Sequence, residues 1–357
     1  MSEARPLVVV TGGAGFIGSH TVDLLIQRGF RVHVVDNLYG GRERNLERHK
    51  TNPDLVVEVR DIRGIKPDDR LFRGADYVFH LAGIGDIVPS IEAPSEYMDV
   101  NVQGTVRVLE AARAAGVAKV VYAASSSCYG LASVPTREDH PIDTRYPYAL
   151  SKWMGEQTAF HWHAVYGLPV NAVRIFNAYG TRSRTSGAYG AVFGVFLKQK
   201  LAGKPFTVVG DGTQTRDFLY VTDVAAAFVA AAETPVTGRY WNLGAGKPQS
   251  VNRLVELLGG NVVYIPTRPG EPDCTWADIS RIKVELDWVP AISFEEGVAR
   301  ILAEIEYWRD APLWDPASIE IATQSWHRYL AADGKSGETP KSTVVGRQVA
   351  APLPKNR

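Results

Sequence analysis

Cysteine is scarce in this sequence, and neither sign of charge is in excess. The 357 residues include two cysteines, Cys128 and Cys274, too few for a disulfide framework or a cysteine-rich zinc cluster, so we expect a reducing compartment. Lysine plus arginine and aspartate plus glutamate both number 39, which gives a formal net charge of zero. A broad nucleic-acid-binding surface needs excess positive charge, so we expect no nucleic-acid partner, and an anionic ligand must be held by a local group of arginines.

Long apolar runs are also missing. The N-terminal MSEARP leads directly into the first predicted strand with no apolar leader, and no run approaches the ~20 residues that cross a membrane. We therefore expect a soluble cytoplasmic protein without a membrane partner. His80, in FHLAG, has no second histidine or carboxylate at ligand spacing beside it, so we interpret it as a structural histidine and predict no metal site.

The first half of the sequence does contain a regular alternation of apolar strand-like segments and helix-like segments. Near-continuous apolar strands separated by helices predict a parallel sheet covered on both faces, and right-handed crossovers make it a doubly wound α/β domain. The predicted strands are LVVVT (7–11), VHVVD (32–36), LVVEVR (55–60), YVFHLA (77–82), KVVYAAS (119–125) and PVNAVRIF (169–176), and the predicted helices include 15–27, 102–116 and 148–166.

Beyond Asn177 the sequence changes character. A long loop, NAYGTRSRTSGAYG, is rich in Gly, Ser, Thr and Arg, and shorter strands and helices follow it, ending in an amphipathic helix over 294–310. This change in composition and element length predicts a smaller C-terminal α+β region. The predicted division is a first domain over 1–178 with a return segment at about 215–243, a second region over 179–214 and 244–330, and a disordered polar tail over 333–357.

Three glycines, Gly12, Gly15 and Gly18, lie between the first strand and the first helix. The first permits a tight turn, the second lets a pyrophosphate approach the backbone, and the third lets the helix pack on the strand. The helix N-terminus then offers free N–H groups to the phosphate. This spacing also occurs in ordinary strand–helix turns. Asp36, which ends the second strand ~20 residues further on, indicates a dinucleotide site. Its carboxylate binds ribose hydroxyls and repels the 2′-phosphate of NADP, so it favours NAD over NADP.

Three charged residues near this loop leave alternatives open. Arg42 and Arg44 follow Asp36 closely and could receive a 2′-phosphate, which would favour NADP over NAD. Asp61, at the end of the third strand, is either placed to meet adenine or a simple loop residue.

The motif YPYALSKW places Tyr148 and Lys152 four residues apart, on one face of a predicted helix. The helix follows AASSSCYG, which carries Ser125, Ser126 and Ser127, and an exposed pair without function is the alternative interpretation. A phenol of pKa ~10 is a poor base at neutral pH. Because an adjacent ammonium and a cationic nicotinamide would favour the phenolate, Tyr148 could take a proton from a substrate hydroxyl.

Taken together, TGGAGFIG, Asp36, HLAG, Asn101, SSSCYG, the Tyr148/Lys152 pair and RDFLYVTD resemble the extended short-chain dehydrogenases/reductases of the nucleotide-sugar epimerase/dehydratase type, over about residues 7–310. The resemblance implies a Rossmann domain with tightly held NAD and a C-terminal region that binds a nucleoside diphosphate sugar. The NAD-binding residues that it implies are Gly12, Gly15, Phe16, Ile17, Gly18, Asp36, Asn37, Asp61, Ile62, Leu81, Ala82, Gly83, Asn101, Tyr148, Lys152 and Phe176.

The same resemblance implies roles in catalysis and substrate binding. Ser125, four residues before Tyr129, matches the catalytic Ser/Thr of the family, and Ser126 is the near alternative; both join Tyr148 and Lys152 as predicted catalytic residues. The implied substrate-binding residues are Ser125, Tyr148, Asn177, Arg216, Arg268 and Thr275, of which the two arginines match residues on the diphosphate, a role that suits guanidinium groups. The resemblance also implies a homodimer, formed through the helices near Thr105 and Tyr148.

The residues just before CYG indicate which reaction to expect. Dehydratases of this type carry Asp-Glu or Ser-Glu there, whereas this sequence has Ser126 and Ser127, whose hydroxyls are not credible acids or bases at neutral pH. Glu138 and Asp139 are interpreted as loop carboxylates. We therefore predict an NAD-dependent 4-epimerase of a UDP-hexose, UDP-N-acetylhexosamine or UDP-uronic acid, acting through a transient 4-keto sugar. The alternatives are a nucleotide-sugar 4,6-dehydratase and a non-catalytic NAD-bound protein.

Several residues near these motifs have a simpler or an open interpretation. Cys128 is interpreted as a small apolar residue, and Thr275 and Gly85 as small residues that leave space for a substituted sugar. The loop that holds Arg182, Arg184 and Tyr189 could fold over the sugar or form a subunit contact. The general family pattern does not place the segment 311–330, and its role is open.

Overall fold

The computed structural model describes residues 5–183 and 192–330, in which parallel strands and helices alternate from the start. The strands are β1 (Leu7–Thr11), β2 (Arg31–Asp36), β3 (Leu55–Val59), β4 (Tyr77–His80), β5 (Lys119–Ser125), β6 (Val170–Ile175), β7 (Asn177–Tyr179), β8 (Phe206–Val209), β9 (Thr215–Arg216), β10 (Phe218–Tyr220), β11 (Arg239–Leu243), β12 (Gln249–Ser250) and β13 (Val262–Ile265). The helices are α1 (Phe16–Gln27), α2 (Ile87–Glu92), α3 (Pro94–Met98), α4 (Gly104–Ala115), α5 (Pro147–Tyr166), α6 (Val192–Leu201), α7 (Val221–Glu233), α8 (Val251–Leu258), α9 (Ser280–Leu286), α10 (Phe294–Ala303), α11 (Pro316–Ala322) and α12 (Gln324–Leu330).

A seven-stranded parallel sheet forms the larger lobe, in the order β3-β2-β1-β4-β5-β6-β11. All five residues of β1 are buried, because helices cover both faces of the sheet. Successive side chains of a strand point to opposite faces, so Val8 and Val10 belong to one core, while Leu7 and Val9 belong to the other. The predicted doubly wound Rossmann sheet is confirmed.

The chain completes this sheet only after a long excursion. β11 adds to the edge of β6 in parallel, with Trp241 opposite Val173, and α7 packs against α1. Between β6 and β11 the chain builds part of a smaller α+β lobe, whose core includes stacked aromatic rings such as Phe218 and Phe294, with centroids 5.2 Å apart. The carboxyl ends of the central strands therefore face this smaller lobe.

Element ends differ more from the sequence-based expectations than element positions do. The helix expected over 294–310 is broken, because α10 ends at Ala303 and a 3-10 turn over Ile305–Trp308 follows. That turn places the Trp308 side chain, which is fully buried, in the core of the smaller lobe. Before α4, a π-helical turn over Asp99–Gln103 extends the predicted helix towards the N-terminus. The tail predicted over 333–357 lies outside the described residues.

The segment that the family pattern does not explain folds into two short helices. α11 begins with a capping box, in which Asp315 and Ser318 bond each other's backbone, and with Pro316 in its first turn. α12 then packs against α2 of the larger lobe, where the Ser325 hydroxyl donates to a Glu92 carboxylate oxygen at 2.8 Å. Among the described residues, no helix combines the length and the apolar character that crossing a membrane requires.

Candidate active site

A cavity of about 710 Å³ opens where the central strands end and the smaller lobe begins. Open α/β sheets bind ligands at this edge, in the crevice beyond the carboxyl ends of the strands. The cavity wall contains all of the predicted NAD-binding residues except Asn101, and also Ser125, Asn177, Arg216 and Arg268. One continuous space therefore connects the glycine turn, the Tyr148/Lys152 pair and the two arginines.

The glycine turn is as closely packed as the predicted role requires. Gly12 has a φ of +73°, which favours glycine, and a Cβ there would lie 2.7 Å from the backbone nitrogen of Ala82. A Cβ on Gly18 would lie 2.0 Å from the carbonyl oxygen of Gly12, so α1 can approach β1 only with glycine at this position. Gly15 is the N-cap of α1. The bare backbone and the N-terminus of α1 together form a cradle that fits a pyrophosphate.

The acidic residue that ends β2 is buried on the cavity wall. One Asp36 carboxylate oxygen accepts from the backbone N–H of Ala14 at 2.9 Å, and the other accepts from Leu38 at 2.8 Å, while burial raises the pKa of this carboxyl. Arg44 is turned towards the smaller lobe, with its guanidinium 4.0 Å from the ring centroid of Tyr307, and Arg42 lies 5.8 Å from the same centroid. This arrangement fits the ribose hydroxyls of NAD.

Asp61 lies across the same end of the cavity from Asp36. It caps the 3-10 turn over Ile62–Gly64, bonds the guanidinium of Arg63 and accepts from the Asn37 amide at 3.0 Å. Hydrogen bonds from Arg63 hold the pKa of the Asp61 carboxyl at about 2. Asp61 and Asn37 therefore form a fixed polar part of the cavity wall. Contact between Asp61 and adenine stays a prediction.

The predicted catalytic residues converge at the carboxyl end of β5. The hydroxyl oxygens of Tyr148 and Ser125 lie 3.4 Å apart, and Ser125 Oγ also accepts from the backbone N–H of Ser127 at 3.2 Å. Ser125 and Ser127 line the cavity, whereas Ser126 does not, so the geometry favours Ser125 over its neighbour. Burial raises the pKa of Tyr148. A cation close to the phenol is therefore needed if Tyr148 is to act as a base.

Lys152 is the cation that follows Tyr148 by one helical turn. Its side chain is buried, with Nζ 4.5 Å from the ring centroid of Tyr122, and burial lowers the pKa of Lys152 to about 8. The carboxylate of Glu156, one turn further along α5, opposes this shift. The Glu156 carboxylate therefore favours the charged form of Lys152 against the effect of burial.

Asn101 lies behind the cavity wall. Its amide group bonds both the backbone N–H and the carbonyl oxygen of Ile84, at 2.9 and 3.0 Å, and donates to Ser151 Oγ at 2.9 Å. Asn101 therefore fixes the loop after β4 against α5, and its predicted contribution to NAD binding is a positioning role in this geometry.

Beneath the site, a buried ion pair joins α5 to β6. The Arg174 guanidinium donates to both carboxylate oxygens of Glu156, at 2.8 and 2.5 Å, and to the hydroxyl of Tyr129 at 2.7 Å. Tyr129 in turn donates to the Asn242 amide oxygen, and Glu138 accepts from the Asn242 backbone N–H at 3.1 Å. Glu138 is therefore a buried structural carboxylate away from the cavity wall.

Two further residues near the site have structural roles. His80 bonds the hydroxyls of Thr11 and Thr105, at 2.7 and 2.9 Å, and burial lowers the pKa of His80 to about 3, so it is neutral. Cys128 is buried, and burial raises the pKa of its thiol to about 12. In the described part of the chain, no group of three or more His, Cys, Asp or Glu side chains is arranged to hold a metal ion.

The two arginines predicted to hold the diphosphate meet at one carboxylate. Arg216 donates to one oxygen of Glu271 at 2.7 Å, and the Arg268 guanidinium lies 3.7 Å from the other. Asn177 is on the cavity wall, whereas Thr275 reaches it only through Asn177, to whose amide oxygen the Thr275 hydroxyl donates at 2.6 Å. The predicted role of Thr275 in shaping the sugar pocket stays a prediction.

The loop after β7 is described only in part. Arg182 donates to the carboxylate of Asp23 on α1 at 2.8 Å, which fixes the start of this loop against the larger lobe. Arg184 and Tyr189 lie outside the described residues, and the two roles considered for the loop stay open.

Among the cavity-wall residues that sequence reasoning did not find, two bear on function. Asp86, with the unusual φ of +84° for a non-glycine residue, lies in the loop after β4, and its charge contributes to the raised pKa of Tyr148. Its position after a strand could have marked it, because carboxyl-end loops carry functional groups in such folds. The second residue, Trp326 on α12, has no motif around it and is brought to the cavity by tertiary packing.

The sheet topology, the glycine cradle and the Tyr148–Ser125–Lys152 cluster define an NAD-dependent enzyme with a Rossmann fold. The chain belongs to the NAD-dependent epimerase/dehydratase family, whose sequence model matches residues 8–244. This family membership confirms the predicted resemblance, and NAD is the cofactor.

Similar proteins of this family catalyse more than one reaction. A UDP-glucose 4-epimerase of Mycolicibacterium smegmatis is 35% identical over 316 residues, which cover 85% of this chain and 98% of that protein. A UDP-N-acetyl-alpha-D-glucosaminuronate decarboxylase of Bacillus cytotoxicus is 33% identical over 309 residues, covering 81% and 94%. The crystal structure of UDP-glucuronic acid 4-epimerase from Bacillus cereus, in complex with UDP-glucuronic acid and NAD, superposes with a TM-score of 0.78 at 31% identity, covering 85% and 99%.

Proposed function

We propose that this protein is a nucleotide-sugar 4-epimerase that uses NAD and acts on a UDP-hexose, UDP-N-acetylhexosamine or UDP-uronic acid. The observation that carries the proposal is the placement of Tyr148, Ser125 and Lys152 in the same cavity as Arg216 and Arg268. A base for a sugar hydroxyl and a cationic pair for a diphosphate are thus joined by one space.

In the proposed reaction, Tyr148 removes the proton from the sugar 4-hydroxyl and later returns it. Ser125, within 3.4 Å of the Tyr148 oxygen, holds that hydroxyl in line with the phenolate. The hydrogen bond with Ser125 opposes the effect of burial on the pKa of Tyr148. In the proposed reaction, the positive charge of Lys152, one helical turn along α5, further favours the phenolate over the phenol. NAD, held by the glycine cradle of Gly12, Gly15 and Gly18 and by Asp36, would supply the hydride acceptor for the sugar carbon and the hydride donor for its return to the opposite face.

The arginine pair would hold the substrate while the sugar turns over. A diphosphate offers Arg216 and Arg268 more charge than the single carboxylate of Glu271, so we expect it to replace Glu271 as their partner. The sugar end needs room for two orientations of the 4-keto intermediate. Gly85 leaves part of this room free, because a Cβ at this position would meet no atom within 4 Å.

The proposal is tested by incubating the purified protein with a panel of nucleotide sugars in heavy water and following the products by NMR. A 4-epimerase inverts C4 without placing deuterium on carbon, because the same hydrogen returns to the sugar. Formation of a 4-keto-6-deoxy sugar with deuterium at C5 or C6 would contradict it. A non-catalytic protein would leave every member of the panel unchanged.

A second candidate function, 4,6-dehydration, is favoured by Asp86. Elimination needs a carboxylate near the sugar, and Asp86 lies on the cavity wall close enough to influence the pKa of Tyr148. The two functions separate in an Asp86→Asn variant. If the protein is a dehydratase, this variant accumulates the 4-keto sugar without eliminating water; if it is an epimerase, C4 inversion continues.

A further inference from the structure

The helix pair α11–α12, residues 316–330, forms part of the cavity although it lies beyond the residues that carry the family resemblance. We refer to this segment as the strap. Thr323 and Trp326 of the strap line the same cavity as Lys152 and Arg268, and their exposed fractions are 3% and 7%. Trp326 is thus a large aromatic side chain that is buried at a ligand cavity although it belongs to none of the sequence motifs.

The indole ring of Trp326 is fixed to the loop that carries Arg268. Its Nε1 donates to the carbonyl oxygen of Pro269 at 2.7 Å, and the Arg268 guanidinium lies 5.8 Å from the ring centroid, within range of a cation–π contact. The ring therefore covers the arginine that faces Glu271 and keeps its position relative to the cavity.

The strap is also attached to both lobes. Ile319 of α11 belongs to the core of the smaller lobe, while α12 packs on α2 of the larger lobe, where Ser325 bonds Glu92 at 2.8 Å. A wall attached on both sides of the cavity excludes water more completely than a loop attached on one side. Interactions between charges are stronger where water is excluded.

We propose that Trp326 is a substrate-binding residue, which encloses the diphosphate of the nucleotide sugar together with Arg268. This inference rests on the proposed function for the identity of the ligand. The flat face of the indole closes the cavity beside the guanidinium, and the enclosed ion pair is shielded from solvent and from salt. Trp326 thus contributes to the affinity for the nucleotide part of the substrate. It takes no part in the proton transfer at Tyr148.

The test compares binding of UDP to the NAD-loaded wild-type protein and to Trp326→Ala, Trp326→Phe and Tyr329→Ala, by calorimetry at low and high salt. Trp326→Ala is expected to weaken UDP binding about ten-fold, the scale for removing a buried aromatic contact, and to make the remaining affinity more sensitive to salt. Trp326→Phe restores part of the affinity. Tyr329 lies on the same helix but is 57% exposed, so Tyr329→Ala leaves binding unchanged.

A second measurement needs no substitution. Addition of UDP to the wild-type protein is expected to slow amide hydrogen exchange in residues 316–330. Either of two results overturns the inference. One is a folded Trp326→Ala variant that binds UDP with wild-type affinity and salt dependence. The other is amide hydrogen exchange in the strap that does not change when UDP is added. If UDP binds as expected but no nucleotide sugar is turned over, the inference stands and the proposed 4-epimerase activity fails. A wild-type protein that does not bind UDP overturns both.

Discussion

The hydroxyl of Tyr148 is the group on which the proposed chemistry depends. We expect Tyr148→Phe to lower kcat about 100-fold to 10,000-fold, the usual contribution of a general base, while the protein keeps its NAD, because the ring and its packing remain. Tyr146→Phe is the matched control: its ring stacks on that of Tyr148 at 6.4 Å, but Tyr146 is not on the cavity wall. Equal losses in the two variants, measured by product NMR and NAD absorbance, would contradict a base at Tyr148.

His80 should make the protein sensitive to mild acid. Its pKa falls from the usual 6.5 to about 3 on folding, so between these values the unfolded chain binds a proton that the native chain does not. The free energy of unfolding therefore falls as the pH falls below 6.5, by about 1.4 kcal/mol per pH unit for this one group.

This contribution is isolated by comparing urea unfolding of wild type and His80→Gln at a series of pH values from about 7 to 5. The variant is expected to lose less stability over this range than wild type does. The same substitution at the exposed His161 is the control for removing a histidine from the surface. Parallel curves for wild type and His80→Gln would show that His80 is not buried as a neutral group.

Apart from Asn101, the residues that we predict at the cofactor end lie on one cavity wall, and this grouping was predictable because its signals are local. Gly12, Gly15 and Gly18 lie on one turn, and Tyr148 and Lys152 on one helix face, so spacing alone placed them. Trp326 was not predictable, because its position depends on a contact with Pro269, 57 residues earlier in the chain. The contribution of Asn101 to NAD binding stays a prediction, and its bonds to Ile84 from behind the wall were not predictable, because only packing shows them.

Among the elements, α1 is held against β1 by a glycine contact. A Cβ on Gly18 would lie 2.0 Å from backbone, so we expect Gly18→Ala to push α1 away, to lower the free energy of unfolding by about 1–3 kcal/mol and to reduce the NAD content after purification. Gly64→Ala is the control, because a Cβ there would meet nothing within 4 Å. Full NAD occupancy in Gly18→Ala would show that the helix can shift without losing the cradle.

The α5 helix is anchored to β6 by the buried pair of Glu156 and Arg174. Removing one charge leaves the other buried without a partner, so Glu156→Gln is expected to cost about 3–5 kcal/mol of unfolding free energy. The same change at Glu296, which pairs with Arg300 on an exposed helix face, should cost less than about 1 kcal/mol. Similar costs in chemical denaturation would mean that the Glu156 site is solvated.

The sequence predicted the positions of the central strands well because each is apolar on both faces and so stands out from its surroundings. Element ends were less predictable. The helix expected over 294–310 breaks after Ala303 because burial of the Trp308 side chain outweighs the local helical pattern. Competition between local preference and a tertiary contact is not visible in a single stretch of sequence.

At the scale of the whole molecule, we propose the homodimer that the family resemblance implies. The helices α4 and α5 pack together, and α5 leaves Met154 and Val165 exposed by 38% and 56%. Light scattering is expected to give twice the chain mass of 39.1 kDa. A Met154→Glu/Val165→Glu double variant should be monomeric, whereas Val284→Glu, on the exposed side of α9, should not change the mass. A monomeric wild-type protein would contradict the proposal.

The late return of β11 to the central sheet has a consequence for biosynthesis. A ribosome makes the chain from its N-terminus, and β6 is an open sheet edge from the moment Ile175 emerges until Arg239–Leu243 arrives to pair with it. An unpaired edge is prone to join the wrong chain. We therefore expect the nascent chain to be most prone to mispairing along β6 during this interval. The central sheet can thus be completed before the strap that carries Trp326 has been translated.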